Sequence, residues 1–149
     1  TPKPSSAASD VYKRQIHILV YVQIAPTGQL DSATIANSVE ANPSVVRRLM
    51  AAMKKAGLLM SRAGTAEPRL ARPASQITLQ AVFHAVEMNH DLLHVDPQTN
   101  IDCPVGANIQ QALDEAYARV QQAAEAELAK LTVQDIVDRV QGLRQARVS

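Results

Sequence analysis

The 149 residues are 46% hydrophobic and only 3% aromatic, without tryptophan, and carry a formal net charge of +1. That length suits one domain, or one domain with an appendage, around an aliphatic core, and the Ala- and Gln-rich stretches favour helices. No apolar run approaches the roughly 20 residues of a membrane span, no secretory signal opens the sequence and a lone cysteine cannot close an internal disulfide, so a cytoplasmic protein is the expectation.

The net charge hides an asymmetry. Residues 1–75 hold ten Lys/Arg against four Asp/Glu, whereas residues 76–149 hold five against ten. A basic first half beside an acidic second half predicts a polyanion-binding head joined to an assembly or sensing region.

Residues 1–15 (TPKPSSAASDVYKRQ) are polar, Pro/Ser/Ala-rich and aperiodic, and read as a disordered leader or an artificial scar outside the fold. Residues 16–24 (IHILVYVQI) form an apolar run that suits either strand or helix, closed by the turn Ala25-Pro26-Thr27-Gly28. His17 within it reads as a packed histidine. Asp31-Ser32-Ala33 opens a short helix, SATIANSVE, with Ile35, Ala36 and Val39 on one side. Asn42-Pro43 pairs a cap with proline at a first helical position and starts a second helix over residues 44–57.

That second helix is the most informative stretch. At helical spacing, Val45, Val46, Leu49, Met50, Ala52, Met53 and Ala56 share one face. Ser44, Arg47, Arg48, Ala51, Lys54 and Lys55 share the other, with no acid between Ser44 and Gly57. Gly57 ends the helix. Residues 58–61 and 68–72 then read as two short strands around a tip, with Arg62, Arg69 and Arg72 on the hairpin. Thr78 caps a short helix with Leu79, Val82, Phe83 and Val86 in a stripe, and residues 89–104 are irregular. A long helix over about residues 105–131 repeats Ile109, Leu113, Ala116, Val120, Ala124 and Leu128. Thr132 and Asp135 make a capping box for a last helix striped with Val133, Ile136, Val137, Val140 and Leu143.

Helix, short turn, one-sided basic helix and basic hairpin follow one another in the order of a winged helix-turn-helix. The expected fold is mainly α, a winged helix-turn-helix with a small two-stranded β-wing and a long C-terminal dimerisation helix. Its parts are a leader (1–15), a head (16–88), a connector or sensing loop (89–104), and the dimerisation and C-terminal helices (105–149). Ser44, Arg47 and Arg48 suit base edges, Lys54 and Lys55 suit phosphates, and Arg62, Arg69 and Arg72 suit phosphates or the minor groove. The competing reading is a winged-helix interaction module whose basic face meets an acidic protein.

Residues 16–140 resemble the Rrf-two (BadM/Rrf-two) family of bacterial winged-helix transcription regulators. The stretches that carry the resemblance are IHIL (16–19), NPSVVRRLMAAMKKAGLL (42–59), RLARPASQITLQAVFHAVE (69–87) and NIDCPVGANIQQALDEAYARVQ (100–121). It implies that Ser44, Arg47 and Arg48 contact bases and that the long helix dimerises. Two departures stand out. The wing tip is less glycine-rich than usual and contains Glu67. Cluster-binding members carry three closely spaced cysteines where this chain has only Cys103, so the resemblance points to the cluster-free branch.

Two readings of Cys103 stand: a small packed residue at the mouth of the long helix, or a redox-active thiol activated by that helix's N-terminus. His90 and His94 are weak candidates for a metal site, against solvated or capping histidines. The sequence contains no phosphate loop, nucleophile elbow or paired carboxylates with a base, so it does not read as an enzyme. The expected partners are double-stranded DNA and a second copy of the chain through Ile109, Leu113, Val120 and Leu128, with a small-molecule or redox signal left open and no cofactor.

Overall fold

The computed structural model describes residues 4–61, 64, 67–86, 91–93 and 97–148, with side chains from residue 10 onward. The ambiguous apolar run is helix. α1 (Pro4–Ile24) buries Ile18, Leu19 and Val22, which recur at the spacing of one helical face.

The same helix corrects the reading of residues 1–15 as a disordered leader. From Asp10 to Gln15 the chain is part of α1, and Gln15 is 1% exposed. Its Nε2 donates to the Val82 carbonyl at 3.0 Å, and the Tyr12 hydroxyl donates to the Leu79 carbonyl at 2.9 Å. The Tyr12 ring also meets Phe83 edge-on at 5.3 Å, and burial pushes its phenol up to about 12. Both side chains donate to carbonyls of the short helix at residues 79–83, so a polar composition conceals an inward face.

α2 (Ser32–Val39) starts where Asp31 accepts the Thr34 N–H at 2.7 Å. It ends on Glu40, which takes the left-handed conformation at φ 57°. α3 (Pro43–Lys55) follows after a three-residue turn and buries Val46, Leu49, Met50 and Met53; Ala56, expected on that face, is exposed. Gly57 at φ 78° closes it with a Schellman pair: Leu58 N–H to Met53 O at 2.9 Å and Gly57 N–H to Lys54 O at 3.1 Å. β1 (Leu59–Ser61) and β2 (Pro68–Leu70) form one antiparallel ladder, shorter than the expected strands, pairing Leu59 with Leu70, Met60 with Arg69 and Ser61 with Pro68. α4 (Leu79–Phe83) is capped by Thr78.

α5 (Pro104–Leu128) is about 37 Å long at the usual rise per residue. It ends before residue 131 because the next residues are drawn to the head. Thr78 and Thr132 form a β-bridge, the Leu79 N–H meets Leu131 O at 2.9 Å, and the Val133 N–H meets Ile77 O at 2.9 Å. α6 (Val133–Val148) opens with the expected capping box: Thr132 N–H to Asp135 Oδ2 at 2.9 Å and Asp135 N–H to Thr132 Oγ1 at 3.2 Å. It then packs on α1 and the turn at Ala74–Gln76. Val133 and Val137 complete the head's core, so α6 belongs with the head rather than with α5. Val133, Ile136, Val137 and Val140 of the α6 stripe therefore find their cover within the chain, whereas Leu143 stays exposed. The α5 stripe lacks such cover: among the described residues, none on α5 is buried.

Candidate nucleic-acid interface

α3 projects its polar face outward. Ser44, Arg47, Arg48, Lys54 and Lys55 are all exposed, and their backs are the buried Val46, Leu49, Met50 and Met53. Sequence neighbours reinforce the sign, since no acid occurs between Glu40 and Glu67. At the start of α3, Asn42 Oδ1 accepts both the Ser44 N–H at 2.9 Å and the Ser44 hydroxyl at 2.8 Å. The amide N–H identifies that Asn42 atom as the oxygen, so the Ser44 hydroxyl spends its proton on the cap and turns only lone pairs outward.

The wing stands beside this helix. Lys54 Nζ donates to Ser61 Oγ at 3.4 Å, which ties the last turn of α3 to β1. Arg69 is exposed on β2 and Arg72 is exposed just beyond it, while Arg62 lies outside the described residues. Behind the helix pair, His17 shares a hydrogen bond of 2.9 Å with Ser38 Oγ, linking α1 to α2; burial and nearby Lys13 lower its pKa. His17 is thus half-buried and hydrogen-bonded rather than poised for chemistry.

A family model described as Rrf2, an iron-dependent transcriptional regulator, matches residues 9–139. The chain belongs to the Rrf2 family. A Bacillus subtilis (strain 168) protein named as an HTH-type transcriptional regulator, YwnA, is 41% identical to it over 123 residues, covering 83% of this chain and 91% of its own. A solved structure described as a DNA-binding protein shares 38% identity at a TM-score of 0.66, over 85% of this chain and 97% of that one. A transcriptional regulator from Lactobacillus plantarum is only 16% identical yet superposes at a TM-score of 0.68, over 92% and 96%, and shares the fold. Family and relatives are transcriptional regulators, and this chain is a regulator rather than an enzyme.

The family description mentions iron, which makes the donor set of this Rrf2 regulator worth testing. Iron–sulfur clusters are held by several cysteine thiolates, and the sequence supplies one. Among the described residues no group of three or more His, Cys, Asp or Glu side chains could hold a metal ion, and His90 and His94 lie outside them. The residues do not fit a cluster. Anaerobically purified protein should therefore be colourless, and stoichiometric iron with sulfide would overturn this.

Cys103 is not the packed residue that one reading expected. It is exposed at the cap of α5, where the N–H groups of Gly106 and Val105 lower its thiol pKa. Gly106 is a position the sequence reading passed over. A Cβ there would overlap the Asn100 carbonyl, and the Thr99 hydroxyl donates to Gly106 O at 2.6 Å. Glycine thus lets the connector fold over the first turn of α5. Alkylation of Cys103, the only thiol, should show a pH midpoint below the usual thiol value of about 8.5 and return to it in urea. Equal midpoints in both states would show that the helix start does not activate it.

The dimerisation candidates divide. Ile109 and Leu113 are half-buried and Val120 is 49% exposed, whereas Leu128 packs against the head's own core. Val105, four residues before Ile109 and 69% exposed, extends the stripe at the other end, a signal its spacing already contained. In the last turns of α5, His84 at the end of α4 contacts the Glu125 carboxylate, and the Leu92 N–H donates to Gln121 Oε1 at 2.9 Å. Among the described residues no helix is long and apolar enough to cross a membrane.

Proposed function

We propose that this Rrf2 regulator is a cytoplasmic, dimeric repressor that lays α3 in the major groove of a two-fold-symmetric operator. The observation that carries the reading is the outward face of α3, where four cations and one hydroxyl stand exposed with no acid among them. Arg47 and Arg48, in the first turns, suit the O6 and N7 acceptors of guanine. Ser44, with lone pairs outward, suits the amino group of adenine or cytosine. Lys54, Lys55, Arg69 and Arg72 suit phosphates. Pairing along Val105, Ile109, Leu113 and Val120 supplies the cover that α5 lacks within one chain and sets two recognition helices against two half-sites. Cys103 is the candidate redox input.

Binding to duplex DNA over a salt series tests the reading. Affinity should fall steeply and log-linearly with salt, by several ions per dimer. A chain that ignores duplex DNA yet binds an acidic polypeptide would replace this reading with that of a protein-interaction module.

A further inference from the structure

The wing is gripped from both sides at a single rung. Ser61↔Pro68 is the last pair of the ladder before the tip. On one side Lys54 of α3 reaches Ser61 Oγ. On the other, Glu67, immediately before Pro68, accepts the Gly28 N–H through Oε1 at 2.8 Å. Gly28 belongs to the turn between α1 and α2 and takes φ 96°, a conformation that glycine adopts without strain. Between that turn and the wing lies an open cleft of about 460 Å³, lined by Thr27, Leu30, Met60 and Pro68 among others. The Glu67 carboxylate meets the turn beside this cleft, next to its lining residues Thr27 and Pro68, and a carboxylate accepting a backbone N–H makes a charge-assisted bond.

An acid in a hairpin that faces a polyanion is expected to oppose binding. The geometry here assigns it a different part. We propose that Glu67 is a positioning residue of the DNA interface: by clasping the wing to the α1–α2 turn it holds Arg69, two residues further along on β2, in place on the wing. This acid then raises DNA affinity. The proposal rests on the DNA-reading role of α3.

Duplex binding by the protein, measured over a salt series for five variants, tests it: wild type, Glu67→Gln, Glu67→Ala, Arg69→Ala and the double variant Glu67→Ala/Arg69→Ala. Glu67→Gln keeps an acceptor oxygen for Gly28 and loses the charge, so it should bind as tightly as wild type or more tightly. Glu67→Ala should bind about three- to tenfold more weakly. Its salt slope should be shallower by about one ion per protomer as Arg69 loses its phosphate. A variant that merely lost stability would bind less without a change of slope. In the Arg69→Ala background, Glu67→Ala should add nothing, because the group it positions is gone. Tighter binding by both Glu67 variants would reduce Glu67 to simple repulsion and overturn the clasp, as would equal losses in the two Arg69 backgrounds. A wild type without salt-dependent DNA binding would remove the DNA reading and the clasp together.

Discussion

Leu113→Glu combined with Val120→Glu should convert the regulator from a dimer to a monomer, read as a halved mass in light scattering. α5 runs for 25 residues without one buried position, and Val120 and Val105 are 49% and 69% exposed. Full burial of such a side chain contributes about 1.5–3 kcal/mol, and covering the part still exposed contributes the corresponding fraction. A glutamate in the same seam removes that term and sets two carboxylates near each other in a water-poor contact. The head should survive, because its core draws on α1, α2, α3, α4 and α6 and uses only Leu128 from α5. Loss of the dimer should also weaken operator binding steeply, since one half-site alone must then retain the chain. If the double variant precipitates, Val120→Glu alone decides by raising the dimer dissociation constant. A dimer of unchanged mass would move the interface off α5.

What the sequence made legible follows from how local each signal is. The start of α3 was readable because Asn42 and Pro43 act on their own immediate neighbours, and its end because Gly57 supplies the left-handed residue that a Schellman closure needs. The Thr132–Asp135 box was readable for the same reason. So was the basic face, whose helical spacing is set by backbone geometry alone.

Several of the misread parts depend on distant partners. Gln15 and Tyr12 look like leader residues until the carbonyls of Val82 and Leu79, each 67 positions away, come within hydrogen-bonding reach. The last helix carries an apolar stripe whether its cover is a second subunit or its own head; only the bridge from Thr78 to Thr132 brings it back to the head. In the sequence Glu67 is only a departure from the usual wing tip, because its partner is a backbone N–H in the α1–α2 turn and a main-chain donor leaves no mark in a sequence. Gly106 escaped notice on similar grounds, since what excludes a side chain there is the Asn100 carbonyl.

Arg47 and Arg48 should set operator specificity, while Lys54 and Lys55 set affinity without regard to sequence. Both arginines are exposed in the first turns of α3, next to the Ser44 hydroxyl, at the end that enters the groove when a recognition helix docks by its N-terminus. The lysines lie about 10 Å further along the axis, where such a helix leaves the bases. Lys54 is also turned toward Ser61 of the wing. Removing a two-pronged guanine contact should cost about 1–3 kcal/mol on the operator and little on random duplex, so Arg47→Ala or Arg48→Ala should compress the specific-to-random ratio. Lys54→Ala or Lys55→Ala should weaken both duplexes alike and flatten the salt slope by about one ion each. The measurement is a titration of both duplexes at several salt concentrations. If the lysines govern the ratio and the arginines do not, α3 docks in the opposite direction, with its C-terminal turn toward the bases. If none of the four changes binding, α3 is not the element that reads DNA.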